Sequence, residues 1–383
     1  MLINLPLPHL IKIFFIIAFF LVLRYNMNMV TTKNEKDFYE KRNLHNLEKI
    51  EYLMDELPPF IENYFVGIEN QTSTLTRLNY AYDLRIFFDY VQKKVLRKPI
   101  KQLNLQDLET ITSDDIEKFA SYLSHYQFHG NSESCNERAK ARKLSSVRAM
   151  YKYFFNKEKI SVNNAAKISM PKLHEKEIIR LEVNEVADLL RCADSGNGMT
   201  DRQQAFHEKT RIRDVAILTL FLGTGIRISE LVGLNIDDID FSTYSFRVVR
   251  KGGNQTILYF SDEVADALAK YLAEREDDKD APTDEPALFL SLKKKRISIR
   301  AVENLVKKYS RIVTPLKNIS PHKLRSTFGT QLYRETKDIY IVADVLGHKD
   351  VNTTKKHYAA ISEDTRRAVK DKVRLREERS GNE

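Results

Sequence analysis

Cysteine is nearly absent. Among 383 residues there are two, Cys135 and Cys192, far apart and without the spacing of zinc ligands. A disulfide framework and a zinc finger are thereby excluded, and two free thiols in a reducing, cytoplasmic setting are expected. Glycine is sparse at 12 residues. None of them builds the GxxxxGK[ST] loop that cradles nucleotide phosphates, which argues against an ATPase or helicase. Internal repeats and long low-complexity tracts are missing as well. Long apolar runs are confined to residues 13–23 (IFFIIAFFLVL), flanked by Lys12 and Arg24. This run is short of the roughly 20 apolar residues a spanning helix needs, and no A-x-A cleavage signal follows it. Residues 1–28 are therefore read as an apolar leader from a start assigned too far upstream, with Met27 or Met29 as the expected start. A membrane tether is the disfavoured rival.

What is present describes a soluble globular protein: 42% hydrophobic and 30% charged residues in a chain long enough for two cores. Lysine and arginine outnumber aspartate and glutamate by 62 to 53, a net charge of +9. That balance permits nucleic-acid binding without requiring it.

Periodicity predicts helices over 33–66, 72–91, 112–126 and 136–156, the last basic on one face and aromatic on the other. Such a basic face suits DNA phosphates, or equally a solvated surface. Residues 160–177, with Pro171, break the pattern and read as an extended linker. Beyond it a helix is expected over 183–193, a loop over 196–206, then a buried apolar helix (RDVAILTLFLGTG) stopped by glycine. Alternation over 244–250 and 255–260, joined by KGGN, predicts a hairpin. A helix over 262–274, an acidic loop and further helices from 298 complete the chain. The fold class expected is mainly α. An all-helical N-terminal domain over 29–159 precedes a mixed, mostly helical domain over 178–361 with a small antiparallel sheet, and a tail helix spans 362–383.

Six side chains of the second domain could act together. Arg227 follows a glycine turn in GTGIRISELVGL, and Lys251 sits at the mouth of the hairpin. His322 and Arg325 lie three apart in PHKLRSTFGTQL, on one helical face. His348 follows a glycine in VLGHKD, and Tyr358 stands in NTTKKHYAAI. Taken singly, each has a bland reading as a solvated charge or as one of 18 tyrosines. Asp237, Asp238 and Asp240 form an acidic cluster with no histidine or further carboxylate spaced to complete a metal site, and are read as structural.

The ordered series Arg, Lys, His-x-x-Arg, Leu-Gly-His, Tyr resembles the tyrosine recombinase (phage integrase) family throughout the C-terminal domain. The N-terminal helices are similar, more weakly, to that family's SAM-like core-binding domain. The resemblance implies attack by the Tyr358 oxygen on a DNA phosphodiester, giving a 3′-phosphotyrosine and a free 5′-hydroxyl. Arg227 and Arg325 would grip the phosphate oxygens, and Lys251 would protonate the leaving oxygen. His322 would manage the nucleophile's proton, and His348 would donate a hydrogen bond to the phosphate. The phosphotyrosyl link conserves bond energy, so neither metal, cofactor nor ATP is implied. Within the family the layout looks like the Xer type, and the single-protein XerS-like group in particular. It implies double-stranded DNA with inverted-repeat half-sites, a homotetramer on two duplexes and resolution of chromosome dimers at a dif-like site. A DNA-translocating motor is a candidate accessory partner. A mobile-element integrase or resolvase, a type IB topoisomerase and a non-catalytic DNA-binding protein are the alternatives.

Overall fold

The computed structural model describes residues 38–173, 179–250, 253–278, 285–348 and 350–351. The leader, Lys251, Tyr358 and the tail over 362–383 lie outside them. The chain divides into two compact units at residues 176 and 177. It is mainly helical, with two small antiparallel sheets.

The N-terminal unit is built from α1 (Phe38–Met54), α2 (Ile61–Gly67), α3 (Thr74–Tyr90), α4 (Leu105–Thr110), α5 (Ser113–Tyr122) and α6 (Glu137–Asn156). The helix expected over 33–66 is two helices. Pro58 and Pro59 interrupt it, since proline supplies no N–H to continue the ladder. Caps fix the other starts: the Ser73 hydroxyl accepts from the Thr76 N–H, and Thr112 and Asp115 form a reciprocal capping box. Between α5 and α6 lies a hairpin that helical periodicity does not announce, β1 (Tyr126–Phe128) with β2 (Asn131–Glu133). His129 and Gly130 turn it, both with positive φ (49° and 80°), as a two-residue hairpin turn demands.

The core of this unit is aromatic, with Phe60, Tyr64, Phe87, Phe88, Phe119 and Phe154 buried together. One carboxylate is buried in it. Asp83 on α3 accepts hydrogen bonds from Arg142 (2.6 Å), Lys143 (3.2 Å) and Ser146 (2.8 Å), tying α3 to α6. Ile160, Ala165 and Ile168 are also buried here, so the first half of the stretch read as linker packs onto this unit.

The C-terminal unit centres on α9 (Arg211–Thr224), whose Ile217, Leu218, Leu220 and Phe221 are fully buried. Packed against it are α7 (Val183–Ser195), α11 (Asp262–Asp277) and α13 (Pro321–Thr336). The loop expected over 196–206 contains α8 (Asp201–His207), nucleated by a capping box between Thr200 and Gln203. After α10 (Ile228–Gly233) the chain forms an antiparallel sheet of β3 (Ile239–Asp240), β4 (Ser245–Val249) and β5 (Gln255–Tyr259). Phe246, Val248 and Leu258 face the core while Ile257 and Tyr259 face solvent. The acidic cluster serves this turn: Asp238 accepts from the Asn235 N–H and the Arg247 guanidinium, and Asp240 from Ser242. Then come α12 (Ile299–Val313), α13 and α14 (Ile339–Leu346). Proline at the first position of α13 sacrifices an N–H that would have no helical partner. Among the described residues no helix is long and apolar enough to cross a membrane.

Candidate active site

The site is assembled on the C-terminal turn of α14. The last four carbonyls of a helix have no partner within it and carry the negative end of its dipole. Here three arginines from three different elements take them up in succession. Arg250, at the end of β4, donates from Nη2 to the Val345 carbonyl (3.0 Å) and from Nη1 to that of Asp344 (3.5 Å). Arg325 on α13 donates to the Leu346 carbonyl and, with its other nitrogen, to the Gly225 carbonyl at the end of α9. Arg227, preceding α10, donates from Nη2 to the Gly347 carbonyl (2.8 Å). Two glycines make the approach possible. Gly347 ends α14 with φ +62°, and a Cβ there would lie 1.9 Å from Nη1 of Arg250. Gly225 ends α9 with φ +62°, and a Cβ there would meet Phe328 at 2.4 Å.

A carboxylate completes the cluster. Glu230, at the third position of α10 and 3% exposed, accepts from the Arg227 guanidinium (2.7 Å) and from the Arg227 backbone N–H (3.0 Å). The second bond is one half of a capping box, so the same group starts the helix and aims the arginine. Among the described residues Glu230 pairs with Arg227, and the Glu230 and Asp344 carboxylates both bear on Arg250. Burial pulls the Arg250 guanidinium below its ordinary value, with Arg227 adding to that and the Glu230 carboxylate opposing it. Arg325 is buried, whereas the Arg227 side chain remains 34% exposed. The arrangement is a cationic platform suited to an anion bearing several oxygens.

The structure brings Arg227 and Arg325 together, with His348 immediately after Gly347 and half-buried. His322 is exposed on the first turn of α13, one turn before Arg325. Arg250 and Glu230 went unremarked as site residues in the sequence. Glu230 carried a usable signal, the capping-box spacing from Arg227. Arg250 carried none, since its acceptors are backbone atoms about ninety residues away. Among the described residues no group of histidine, cysteine, aspartate or glutamate is arranged to hold a metal ion.

Residues 180–364 match the profile of the Phage integrase family, and residues 61–158 that of the Phage integrase N-terminal SAM-like domain. A "Tyrosine recombinase XerC" from Caldanaerobacter subterraneus subsp. tengcongensis is 35% identical, across 82% of this chain and 85% of its own length. The chain belongs to the phage integrase family of tyrosine recombinases. It is accordingly an enzyme that cuts and rejoins DNA site-specifically. A "Tyrosine recombinase XerS" from Streptococcus agalactiae is 28% identical over 84% of this chain and 98% of its own. The fold is shared with the crystal structure of "XerH site-specific recombinase bound to palindromic difH substrate", at TM-score 0.60 and 19% identity, covering 91% of this chain and 93% of that one. Residues 61–158, which match the SAM-like domain, are helical as expected except for the short β1–β2 hairpin they contain.

Proposed function

We propose that the arginine platform on α14 binds the scissile phosphate of an inverted-repeat DNA site, and that Tyr358 attacks it. In this reading the Tyr358 oxygen forms a bond to phosphorus as the bond to the 5′-oxygen breaks. The phenolic proton passes toward His322, and the Lys251 ammonium gives its proton to the leaving 5′-oxygen. Arg227 and Arg325 hold the nonbridging oxygens as charge gathers there, with a hydrogen bond from His348. The reverse reaction, with a 5′-hydroxyl of the partner strand, rejoins DNA without ATP. The observation that carries the reading is the convergence of Arg227 and Arg325 on adjacent carbonyls beside His348. Guanidinium forks brought to one point suit the grip of an oxyanion.

The biological role proposed is resolution of chromosome dimers at a dif-like site, by a homotetramer holding two duplexes, with a DNA-translocating motor as accessory partner. The names of the XerC and XerS relatives support it, as does the difH substrate of the XerH structure. A mobile-element reading has support of its own in the fold shared with the Tn1549 transposon integrase, at TM-score 0.57. Selection of a site from duplexes with randomised inverted half-sites, followed by its location in the genome, separates the two. One chromosomal copy upholds dimer resolution, and copies flanking a mobile element overturn it. Failure to select any site overturns site-specific recognition itself.

A further inference from the structure

We infer that Arg250 is a positioning residue that clamps the strand end before Lys251 onto the last turn of α14, delivering the leaving-group acid to the arginine platform. This rests on the reading of Lys251 as that acid. Arg250 is held twice over. Its backbone belongs to the hairpin: its N–H donates to the Asn254 carbonyl (2.8 Å) and its carbonyl accepts from Gly253 (3.1 Å). Its guanidinium belongs to the helix, on the Val345 and Asp344 carbonyls, in the space a side chain at position 347 would fill. A turn arginine of no consequence extends into water. This one lays its guanidinium on the helix, with Nε shielded from solvent. Lys251 is the next residue in the chain. Arg227 and Arg325 contact the same turn, which makes α14 the common reference for acid and phosphate grip. Lysine at position 250 keeps the charge but replaces the planar fork with a rotatable ammonium.

The chemistry of the leaving group provides the test. On an ordinary phosphodiester the departing 5′-oxygen needs a proton. On a 5′-bridging phosphorothiolate the P–S bond breaks and the thiolate leaves unprotonated. Single-turnover cleavage is measured with the full chain on the selected site in nicked form, using both substrates, for wild type, Arg250→Gln, Arg250→Lys and Lys251→Ala. Removing a general acid typically costs at least about a hundredfold, and displacing it about tenfold or more. Arg250→Gln is expected to lose at least about tenfold on the phosphodiester and to return to near wild-type rate on the phosphorothiolate. Arg250→Lys should fall between. Equal losses on both substrates, or no loss on either, overturn the positioning role. Recovery of Lys251→Ala but not Arg250→Gln on the phosphorothiolate also overturns it while sparing the acid. If Lys251→Ala does not recover, the reading of Lys251 as the acid fails, and the clamp falls with it.

Discussion

Replacing Gly347 by alanine puts a methyl carbon 1.9 Å from Nη1 of Arg250 and 2.3 Å from its Cζ, so the guanidinium must leave its place on α14. Two costs follow. The backbone at φ +62° is left-handed, a conformation that costs an L residue about 1–2 kcal/mol. Displacing the charge-assisted bond to the Val345 carbonyl costs about 1.5–3 kcal/mol more. Together these come to about 2.5–5 kcal/mol, which lowers the melting temperature of a domain of this size by about 5–20 °C. Removing the clash by a second change should restore part of the loss. The double variant Gly347→Ala with Arg250→Gln is expected to be no less stable than Gly347→Ala alone, because the two residues share one interaction. Scanning calorimetry on the wild type and both variants checks this. A Gly347→Ala protein melting within about 1 °C of wild type would refute the packing described for the platform.

Glu230→Ala leaves the Arg227 guanidinium with the Gly347 carbonyl as its remaining partner among the described residues. A loss of about 1–2 kcal/mol is expected, at the low end for a charged pair because Arg227 is a third exposed. A fall in cleavage of at least about tenfold should accompany it, since the guanidinium is no longer aimed. Thermal melting and single-turnover cleavage check both, and an unchanged cleavage rate would show that Glu230 serves α10 alone. Asp83→Ala should destabilise the N-terminal unit by about 3–5 kcal/mol, because Lys143 is left buried without its carboxylate; urea unfolding measures it. His207 on α8 is held below the ordinary histidine value, chiefly by burial, with Lys308 adding to the effect. The unfolded chain therefore takes up the proton first as pH falls. Stability should be full above the ordinary value of 6.5 and decline as pH drops from there toward the lower folded value. Melting temperatures across that window should slope less steeply in His207→Gln than in wild type.

Much of the candidate site was legible because its chemistry is carried by side-chain type and order. Arg227, His322, Arg325 and His348 stand in a series that a resemblance can align. The platform beneath them was not legible, because its acceptors are backbone carbonyls, which every residue has. Gly347 was a trace of it in the sequence, and a glycine after an apolar helix reads first as an ordinary stop. Arg250 looked like one more basic residue of a turn. Its role depends on α14, which is brought to the hairpin by tertiary packing alone. The missed elements divide the same way. Thr200 and Gln203 announced α8 by their spacing, and the polar run around them obscured it. The β1–β2 hairpin has three-residue arms, too short for alternation to register. The buried half of the supposed linker shows that Ile160 and Ile168, isolated among polar residues, were anchors for the core.

Tyr358 is the claim on which the rest depends, and trapping the covalent intermediate tests it most directly. A nicked suicide duplex of the selected site, incubated with the full chain and digested to peptides, should yield DNA joined through a 3′-phosphate to the peptide containing Tyr358. Tyr358→Phe should bind the same duplex and give no adduct. An adduct on any other residue, or one that survives in Tyr358→Phe, would contradict the account.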